Sequence, residues 1–509
     1  MARNVSRRSR ACTLAAALLA VVALLAAGCG SSELEDRYEA ERMAWRAGKL
    51  AQAMRSNPEL MTDEMLARVR SSYEAIVARY PRTGEPTTEL GRDIASIAGR
   101  SRLVLAGMAF DRGDADAALG VLASVRESCA FDRALCVEAR LTAGSMLEAT
   151  GRWEDAAEEY EALTEEWPPA AEASGAPDAR ILRTPIKLAA GYAVRGEAAR
   201  AAELFERARD YYDRWIGEWE GSPTARLALE LKGESYAQEG RFADAAGTLE
   251  HFDGLYGNEQ NRAAIWLRLA EIYSAGLRNT ARAREYYEKT EAAYPSKVSG
   301  ATAAIALAAL DIDAARYPEA RARLERVLAE FRGEPTVSAT AMHYLALSYE
   351  LGGSWETAVA RYNALSQEHP ATLYGLQAPL HVARHYRDAG QAAAAASAYE
   401  RAVQHYRRVS GEWPSTPADL TARSYLVEAR LDQGKWEEAA ETLVETAGGL
   451  PGSEAAPGML LQAAALYASK LGDEARAREL LARVRAGHAG TAAGEEAKAR
   501  LDALDRRGR

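Results

Sequence analysis

The stretch Gly151–Pro168, GRWEDAAEEYEALTEEWP, decides the fold, because most of the chain repeats variants of it. At 3.6 residues per helical turn, Trp153, Ala156 and Tyr160 share one face, and the acidic residues lie off that face. The glycine at its start ends the preceding helix, and the proline at its end closes the segment. One amphipathic helix cannot bury its own apolar face, so the stretch predicts a unit that stacks against copies of itself.

Ten copies follow from aligning the chain on the small residue that corresponds to Ala156. Successive copies lie 37 to 45 residues apart, a spacing typical of helical-hairpin repeats. An aromatic or aliphatic residue follows four positions later in every copy, and a glycine precedes most of the ten by five positions. The ten aligned alanines are Ala118, Ala156, Ala201, Ala245, Ala283, Ala320, Ala358, Ala395, Ala439 and Ala477.

This pattern of glycine, aromatic, alanine, aromatic and proline resembles the tetratricopeptide repeat (TPR) family over roughly residues 85–490. No run rich in Val, Ile and Thr indicates a sheet, so we expect an all-α solenoid of about 11 helical hairpins. The resemblance implies a right-handed superhelix in which the first helix of each hairpin lines a concave groove.

A tandem duplication of five hairpins is visible at longer range. Ala118 and Ala156 recur 202 residues later, and the next three aligned alanines recur 194 residues later. Pro185 recurs as Pro379, and the triplet Gly-Glu-Trp that ends at Trp219 recurs in the second half. We interpret Trp219 and its counterpart as packing residues rather than partner contacts.

The chain is therefore predicted to have five parts. They are a signal peptide (1–28), a lipidated amino terminus with an irregular capping hairpin (29–84), the first half of the array (85–295), the second half (296–489) and a carboxy-terminal capping helix (490–509). The second helix of the irregular capping hairpin is expected over residues 63–80, with Ala67, Tyr73 and Val77 facing inward.

The amino terminus has the pattern of an export signal. Four arginines precede the uncharged apolar run of residues 11–27, which is short for a membrane span and typical of a secretory signal. The run ends in Leu-Ala-Ala-Gly-Cys29, which resembles the lipobox of bacterial lipoproteins, with the Leu four places before the cysteine. The resemblance implies acylation of Cys29; an uncleaved anchor and a plain signal peptide are the alternatives. Gly30, where an Asp would retain such a lipoprotein in the inner membrane, favours the outer membrane over an inner-membrane anchor.

Besides Cys29, the mature chain has two cysteines, Cys129 and Cys136. On one helix they would lie about 10 Å apart, too far for a bond, but a turn between them permits a disulfide. A disulfide and two buried thiols are equally compatible with the sequence. Removing the four arginines of residues 1–28 changes the formal charge from -10 to -14, which disfavours nucleic acid as a partner.

The sequence offers little for catalysis. His381 and His385 are four apart on a predicted helix, as in zinc proteases, but Val382 stands where the catalytic Glu is needed and the other half carries Lys187 and Gly191 instead. We therefore predict no metal, no cofactor, no catalytic residue and no small-molecule substrate.

Two further acidic features do not indicate catalysis. The pair Glu234-Ser235 is found in lytic transglycosylases, but the Gly-Leu-Met-Gln-like stretch that should follow it is missing. The acidic pairs Glu158-Glu159 and Glu437-Glu438 are interpreted as solvated charge.

The expected function is a non-enzymatic scaffold, anchored by lipid to the periplasmic face of the outer membrane, that binds proteins or peptide segments of the cell envelope. The lipid and the aromatic-proline hairpin ends resemble periplasmic TPR lipoproteins of the BamD and YbgF type. That resemblance implies, as an alternative, a subunit of the outer-membrane protein assembly machinery. A cell-wall enzyme or peptidoglycan binder is the disfavoured third hypothesis.

Overall fold

The computed structural model of the chain describes residues 29–56, 62–81, 86–128, 130–166, 179–257, 261–449, 455–488 and 491–507. These residues form 23 α-helices and two short π-helical turns, with no strand among them, so the prediction of an all-α solenoid of hairpins is confirmed. The chain divides into two compact units between Thr248 and Leu249. Unit 1 comprises the described residues up to Thr248, and unit 2 those from Leu249 onward.

Unit 1 contains ten helices, the last of which continues into unit 2. They are α1 (Cys29–Ser56), α2 (Asp63–Arg79), α3 (Glu89–Phe110), α4 (Ala115–Ser128), α5 (Arg133–Ala149), α6 (Trp153–Glu166), α7 (Ala179–Val194), α8 (Ala198–Glu218), α9 (Pro223–Gln238) and α10 (Phe242–Tyr256).

Unit 2 contains the remaining helices. They are α11 (Arg262–Glu271), α12 (Thr280–Ala293), α13 (Val298–Asp313), α14 (Tyr317–Glu330), α15 (Pro335–Leu351), α16 (Trp355–Glu368), α17 (Leu373–Asp388), α18 (Ala392–Glu412), α19 (Pro417–Asp432), α20 (Trp436–Gly448), α21 (Ala455–Leu466), α22 (Glu474–Gly487) and α23 (Ala492–Arg507).

Successive helices pair as hairpins, and the odd-numbered helix is the first of each pair. Helices two apart in the chain also pack together, and these substantial contacts join odd-numbered helices: α3 with α5 and α7 with α9 in unit 1, and α13 with α15 and α15 with α17 in unit 2. The first helices of each unit therefore lie side by side. We call them the first-helix row of that unit.

The aligned alanines lie in the buried interior of the hairpins. All ten are buried, none more than 6% exposed, and so are all ten aromatic or aliphatic residues four positions later, such as Tyr160 and Tyr362. Because alanine has the smallest apolar side chain, it permits the approach that the larger residue then fills. The inward face predicted from the repeat is confirmed.

The turn between the two helices of a hairpin has a left-handed residue five positions before the aligned alanine. All ten copies have positive φ there, including Gly353, which completes the pattern in its copy. Arg278 (φ 52°) and Ala315 (φ 58°) adopt the same conformation without being glycine. Since a side chain is strained in this region, the packing of the hairpins imposes the turn in these two copies.

Two sequence interpretations are wrong in detail. In α2 the buried face is Val69, Tyr73 and Ile76, whereas Ala67 is exposed and Val77 only half-buried, because the helix is rotated from the expected phase. The irregular spacing of this capping helix gave a weaker periodic signal than the repeats.

The second member of each acidic pair forms an ion pair. Glu159 is mostly buried rather than solvated, whereas the side chain of Glu438 is still 44% exposed. Glu159 is bonded by Arg126 and, at 2.8 Å, by Arg140, and its side chain is only 17% exposed. Glu438 lies 2.9 Å from the buried guanidinium of Arg430. A carboxylate on a second helix therefore holds a neighbouring helix of the same unit in place.

Corresponding hydrogen bonds support the duplication. The hydroxyl of Tyr212 donates to the backbone carbonyl of Leu182 at 2.9 Å, and that of Tyr406 donates to Leu376 at 2.9 Å, exactly one duplication step of 194 residues away. Each accepting carbonyl lies three residues before the interior proline of its helix, Pro185 in α7 or Pro379 in α17.

The two π-helical turns also correspond. They span Ile272–Gly276 after α11 and Tyr467–Leu471 after α21, each at the end of a first helix and just before the next second helix. A π turn holds one residue more than an α turn, and such bulges are rare.

The tryptophans of the Gly-Glu-Trp triplets lie at the ends of α8 and α18, which at 21 residues are the longest helices of the repeat array after α3. Trp219 packs on Trp215, with ring centroids 6.0 Å apart, and Trp413 packs against the core of α17 to α19. Their packing role agrees with the interpretation from sequence.

Candidate functional site

Unit 2 gathers titratable side chains on its first-helix row. Glu350, at the end of α15, accepts a hydrogen bond from the Tyr362 hydroxyl at 2.8 Å. His381 Nε2 lies 2.9 Å from Glu350 Oε2, and His385 Nδ1 lies 3.4 Å from Oε1. We call these four residues the histidine site. The carboxylate is 16% exposed, while the imidazoles of His381 and His385 are 42% and 34% exposed, so ligands can reach the imidazoles.

Aromatic rings surround the histidine site. The His385 imidazole stacks on Trp355, with centroids 3.3 Å apart and planes 12° from parallel. A further histidine of α15, His343, stacks on Tyr374 with centroids 4.1 Å apart. The Trp355 indole covers one face of the His385 imidazole, and the edge of the imidazole points at Glu350. These two contacts fix the orientation of the His385 ring.

Burial and neighbouring charge set the ionisation of the site. Burial alone would raise the pKa of Glu350, but the hydrogen bond and charge of His381 and the bond from Tyr362 outweigh it and hold the pKa below its usual range. Burial, followed by the charge of His381, lowers the pKa of His343 to about 4. At neutral pH the site therefore has an ionised carboxylate beside a neutral His343.

The charged surface continues onto α19. Arg384, one turn from His381 on α17, places Nη2 2.9 Å from Glu428 and Nε 2.7 Å from Asp432. Arg387 lies 3.1 Å from Asp432 as well. The row α15, α17 and α19 thus presents acidic and basic groups in alternation, a pattern suited to polar peptide segments.

Unit 1 has the corresponding constellation at the positions given by the duplication. Lys187 of α7 donates to the Tyr160 hydroxyl at 2.7 Å and lies 3.0 Å from Glu148 of α5. We call Glu148, Tyr160 and Lys187 the lysine site. Burial alone would lower the pKa of Lys187, but the bonds to Tyr160 and Glu148 outweigh it and raise the pKa. Its side chain is 45% exposed.

The same aromatic pair supports both sites. Trp153 meets the edge of Tyr192 with centroids 5.6 Å apart at 75°, and Trp355 meets Tyr386 at 5.7 Å and 79°. Both pairs join a second helix to the following first helix. The frame of the two sites is therefore the same, and the groups placed on it differ.

The outer face of each tryptophan is covered differently. In unit 1 the Arg195 guanidinium lies 3.8 Å from the centre of the Trp153 ring. In unit 2 His385 stacks on Trp355, and Ala389 stands at the position of Arg195. A cation covers one indole and an imidazole covers the other.

Glycines shape the lysine site. A Cβ on Gly191, where the histidine site has an imidazole, would overlap the six-membered ring of Trp153. A Cβ on Gly144 would overlap the ring of Tyr160, whereas Ala346 occupies the corresponding position in unit 2. The rings of unit 1 therefore lie closer to the first helices than the duplicated sequence alone indicates.

The residues singled out in the sequence are distributed as follows. Cys29 begins α1 by its backbone, and its predicted acylation stays a prediction. Cys129 lies outside the described residues, so its disulfide with Cys136 stays a prediction too. Ser235 is fully buried and donates to the Lys232 carbonyl at 2.7 Å. Among the described residues, no three His, Cys, Asp or Glu side chains are arranged to hold a metal ion.

Glu350 and Glu148 were not recognised from sequence. The signal that could have found them was the duplication: Glu148 and Glu350 are 202 residues apart, and Lys187 and His381 are 194 apart. Both positions hold a charged or titratable residue in both copies.

Two family models, both of the tetratricopeptide repeat, match the chain, and together they cover 264 of its 509 residues. One matches residues 109–171, 189–251 and 383–454, and the other matches residues 264–296 and 340–372. The chain belongs to the tetratricopeptide repeat family, whose members typically bind peptides or proteins and are typically not catalysts.

Solved structures with similar helical repeats include yeast Tom70, with 12% identity over 94% of this chain and 96% of that chain (TM-score 0.39). BtubC (BKLC) from P. vanneervenii is 19% identical over 46% of this chain and 91% of that chain (TM-score 0.35). PilW, a type IV pilus biogenesis factor, is 16% identical over 47% and 97% (TM-score 0.31). We infer no function from these similarities. No curated protein matches the chain in sequence.

Proposed function

We propose that the chain is a lipid-anchored docking protein of the cell envelope, which binds segments of partner proteins along its first-helix rows. The observation that carries the proposal is the presence, in each unit, of half-exposed charged side chains at corresponding positions of adjacent first helices. Lys187 Nζ makes two bonds in the site and has a third donor to offer, and His381 is 42% exposed. Such groups can bind the carbonyls and carboxylates of an extended peptide.

The proposed location rests on the amino terminus. The arginines, the apolar run and the lipobox-like end at Cys29 favour export and acylation, and Gly30 favours the outer membrane. The apolar run lies outside the described residues, and no helix within them is long and apolar enough to cross a membrane. Intact mass of the native protein beside Cys29→Ala, with membrane fractionation, tests the anchor. An unmodified native protein that does not sediment with the outer membrane would contradict it.

Docking is tested by photo-crosslinking from one position on each side of a hairpin. Gln377 lies on α17 one turn before His381, and Gln404 lies on the second helix α18; both are exposed glutamines. A photoreactive residue at Gln377 should capture partners in intact cells, whereas one at Gln404 should not. Equal capture from both positions would exclude the first-helix row as the binding surface.

Charge reversal links the captured partner to the site. His381→Glu combined with Arg384→Glu should abolish capture at Gln377 while leaving the helical content unchanged, and Lys187→Glu serves as the matched change in unit 1. Identification of the partner then separates the two envelope roles. A β-barrel protein of the outer membrane would favour an assembly subunit, and other envelope proteins would favour a general scaffold.

A further inference from the structure

The amino-terminal helix α1 exposes a stripe of large apolar side chains. Leu34, Tyr38 and Trp45 are 54%, 67% and 65% exposed. At about 100° per residue they lie within roughly 40° of one another around the helix axis and extend over about 16 Å. Every other exposed large apolar residue of the described chain stands alone on its helix or turn. We call Leu34, Tyr38 and Trp45 the α1 stripe.

The direction of the stripe is determined by the packing of α1. The opposite face of the helix buries Ala40, Ala47 and Ala51. Tyr80 after α2 donates to the Asp36 carbonyl at 3.0 Å, and Arg37 lies 2.7 Å from Asp93 of α3. Since these bonds fix the rotation of α1, the α1 stripe points away from unit 1.

The position of the stripe in the chain indicates what covers it. Helix α1 begins at Cys29, directly after the apolar run of residues 11–27, and Leu34 follows five residues later, about 7.5 Å along the helix. Any anchor at this point, whether a lipid on Cys29 or the apolar run itself, holds the stripe at the height of the headgroups. Residues 29–56 have five acidic and five basic side chains, so no net charge opposes the approach of a bilayer.

The side chains of the stripe suit that environment. Tryptophan and tyrosine concentrate at membrane interfaces because their rings are apolar and their N–H and O–H groups remain hydrated. Leucine adds apolar area that a headgroup layer can bury.

We propose that the α1 stripe lies in the headgroup region of the phospholipid bilayer to which the amino terminus is anchored, and that it thereby sets the orientation of the first hairpins relative to the membrane. The inference rests on the anchoring part of the proposed function. It assigns the occupant of this face as a lipid surface, and a protein partner is the alternative that the experiment exposes.

The test places the full chain, purified from the membranes of an exporting host, in vesicles of phosphatidylethanolamine and phosphatidylglycerol. Part of the lipid carries brominated acyl chains, which quench nearby tryptophan. The chain has nine tryptophans, so the signal of one is obtained from the difference between wild type and Trp45→Phe. Trp219→Phe is the matched control, because Trp219 packs within unit 1 on α8. Flotation of the vesicles and intact mass are recorded on the same samples.

We expect brominated lipid to quench the native protein and the Trp219→Phe variant, and the quenching to disappear in Trp45→Phe. Vesicle-bound protein whose quenching does not change in Trp45→Phe would overturn the inference and leave the anchor intact. Protein that neither floats nor is quenched would overturn both. Quenching through Trp45 without lipid on Cys29 would support the inference and remove the lipoprotein proposal.

A second variant distinguishes lipid from a protein partner. Leu34→Ser with Tyr38→Ser and Trp45→Ser changes only exposed side chains, so circular dichroism should be unchanged. In vesicles free of other proteins, the Cys29→Ala form should lose at least about tenfold in vesicle partitioning when the three serines are added, because binding scales with buried apolar area. An unchanged partition coefficient would indicate that a protein, not lipid, covers the stripe.

Discussion

The lysine site and the histidine site have the same frame of two first helices, a second helix, a tryptophan and two tyrosines, but they hold different charges. Lys187 is a permanent cation beside Glu148, whereas His381 and His385 share the more deeply buried Glu350. The difference shows that packing residues and surface residues of a repeat vary independently. The tryptophan, both tyrosines and the glutamate recur at the duplication spacing, whereas His381 replaces Lys187 and His385 replaces Gly191.

The largest expected effect on the free energy of unfolding comes from placing a histidine at position 191 of unit 1, which corresponds to His385 of unit 2. Gly191→His forces a Cβ and a ring into the space of Trp153, and overpacking of this kind should cost about 3 kcal/mol of unfolding free energy. Thermal unfolding, with hydrogen exchange over residues 153–194 to localise the loss, measures it.

The reciprocal change, His385→Gly, is the control for Gly191→His. It should cost only about 1 to 2 kcal/mol, from a glycine in a helix and the lost stacking on Trp355. Equal costs for the two changes would mean that Gly191 does not make room for the indole.

The next largest effect depends on pH. His343 is held neutral in the folded protein with a pKa of about 4, while in the unfolded chain it binds a proton near its usual pKa of about 6.5. The unfolded state therefore binds more protons as the pH falls from about 6.5 to 4, and the folded state loses up to about 3 kcal/mol of stability. His343→Leu, which restores the residue type of Leu141 in unit 1, should remove that loss.

Chemical denaturation at pH 7 and pH 4 measures this effect. The exposed His251→Leu is the matched control, and it should leave the acid loss as in wild type. Equal loss of stability in acid for the two variants would show that protonation of His343 on unfolding does not cause that loss.

A smaller difference is expected between the two carboxylates. Glu350→Gln should cost about 2 kcal/mol at neutral pH, because it replaces a charged acceptor of several hydrogen bonds, and Glu148→Gln about 0.5 kcal/mol, since Glu148 is nearer the surface. The Glu350 contribution is present above the usual carboxyl range and should vanish as the pH falls through its lowered pKa. Denaturation curves of both variants at several pH values test this, and similar costs at neutral pH would contradict it.

The smallest effect concerns the outer faces of the tryptophans. Arg195→Ala should cost about 0.5 kcal/mol, the value of an exposed cation–π contact. Ala389→Arg should give no gain, because His385 already covers Trp355. A stabilised Ala389→Arg protein in thermal unfolding would show that the imidazole does not hold that face.

The sequence predicted the fold well because the repeat signal is local. An alanine and an apolar residue four positions later are enough to define a buried helical face, and ten copies in register remove the ambiguity of one. The α2 capping helix was assigned the wrong face because only one copy of it exists. Ala67 and Val69 are both apolar, and a single copy does not show which of the two belongs to the buried face.

The candidate sites were less predictable. Glu350 and His381 are 31 residues apart, and their distance depends on how far one hairpin is displaced from the next. The role of Gly191 depends on the ring of Trp153, 38 residues earlier, and no local pattern reveals that contact. Charged residues of a repeat are recognisable as polar from sequence, but their partners follow only from the packing of helices.

The paired π turns indicate the order in which features of the chain arose. In a duplicated array, a feature present in both copies is older than the doubling, and a feature found in one copy arose later in one lineage of repeats. The widened turns after α11 and α21, with their additional residue, therefore belong to the ancestral half-length protein. The contrast between Lys187 and His381 dates from after the doubling, when the two copies of the scaffold could change independently.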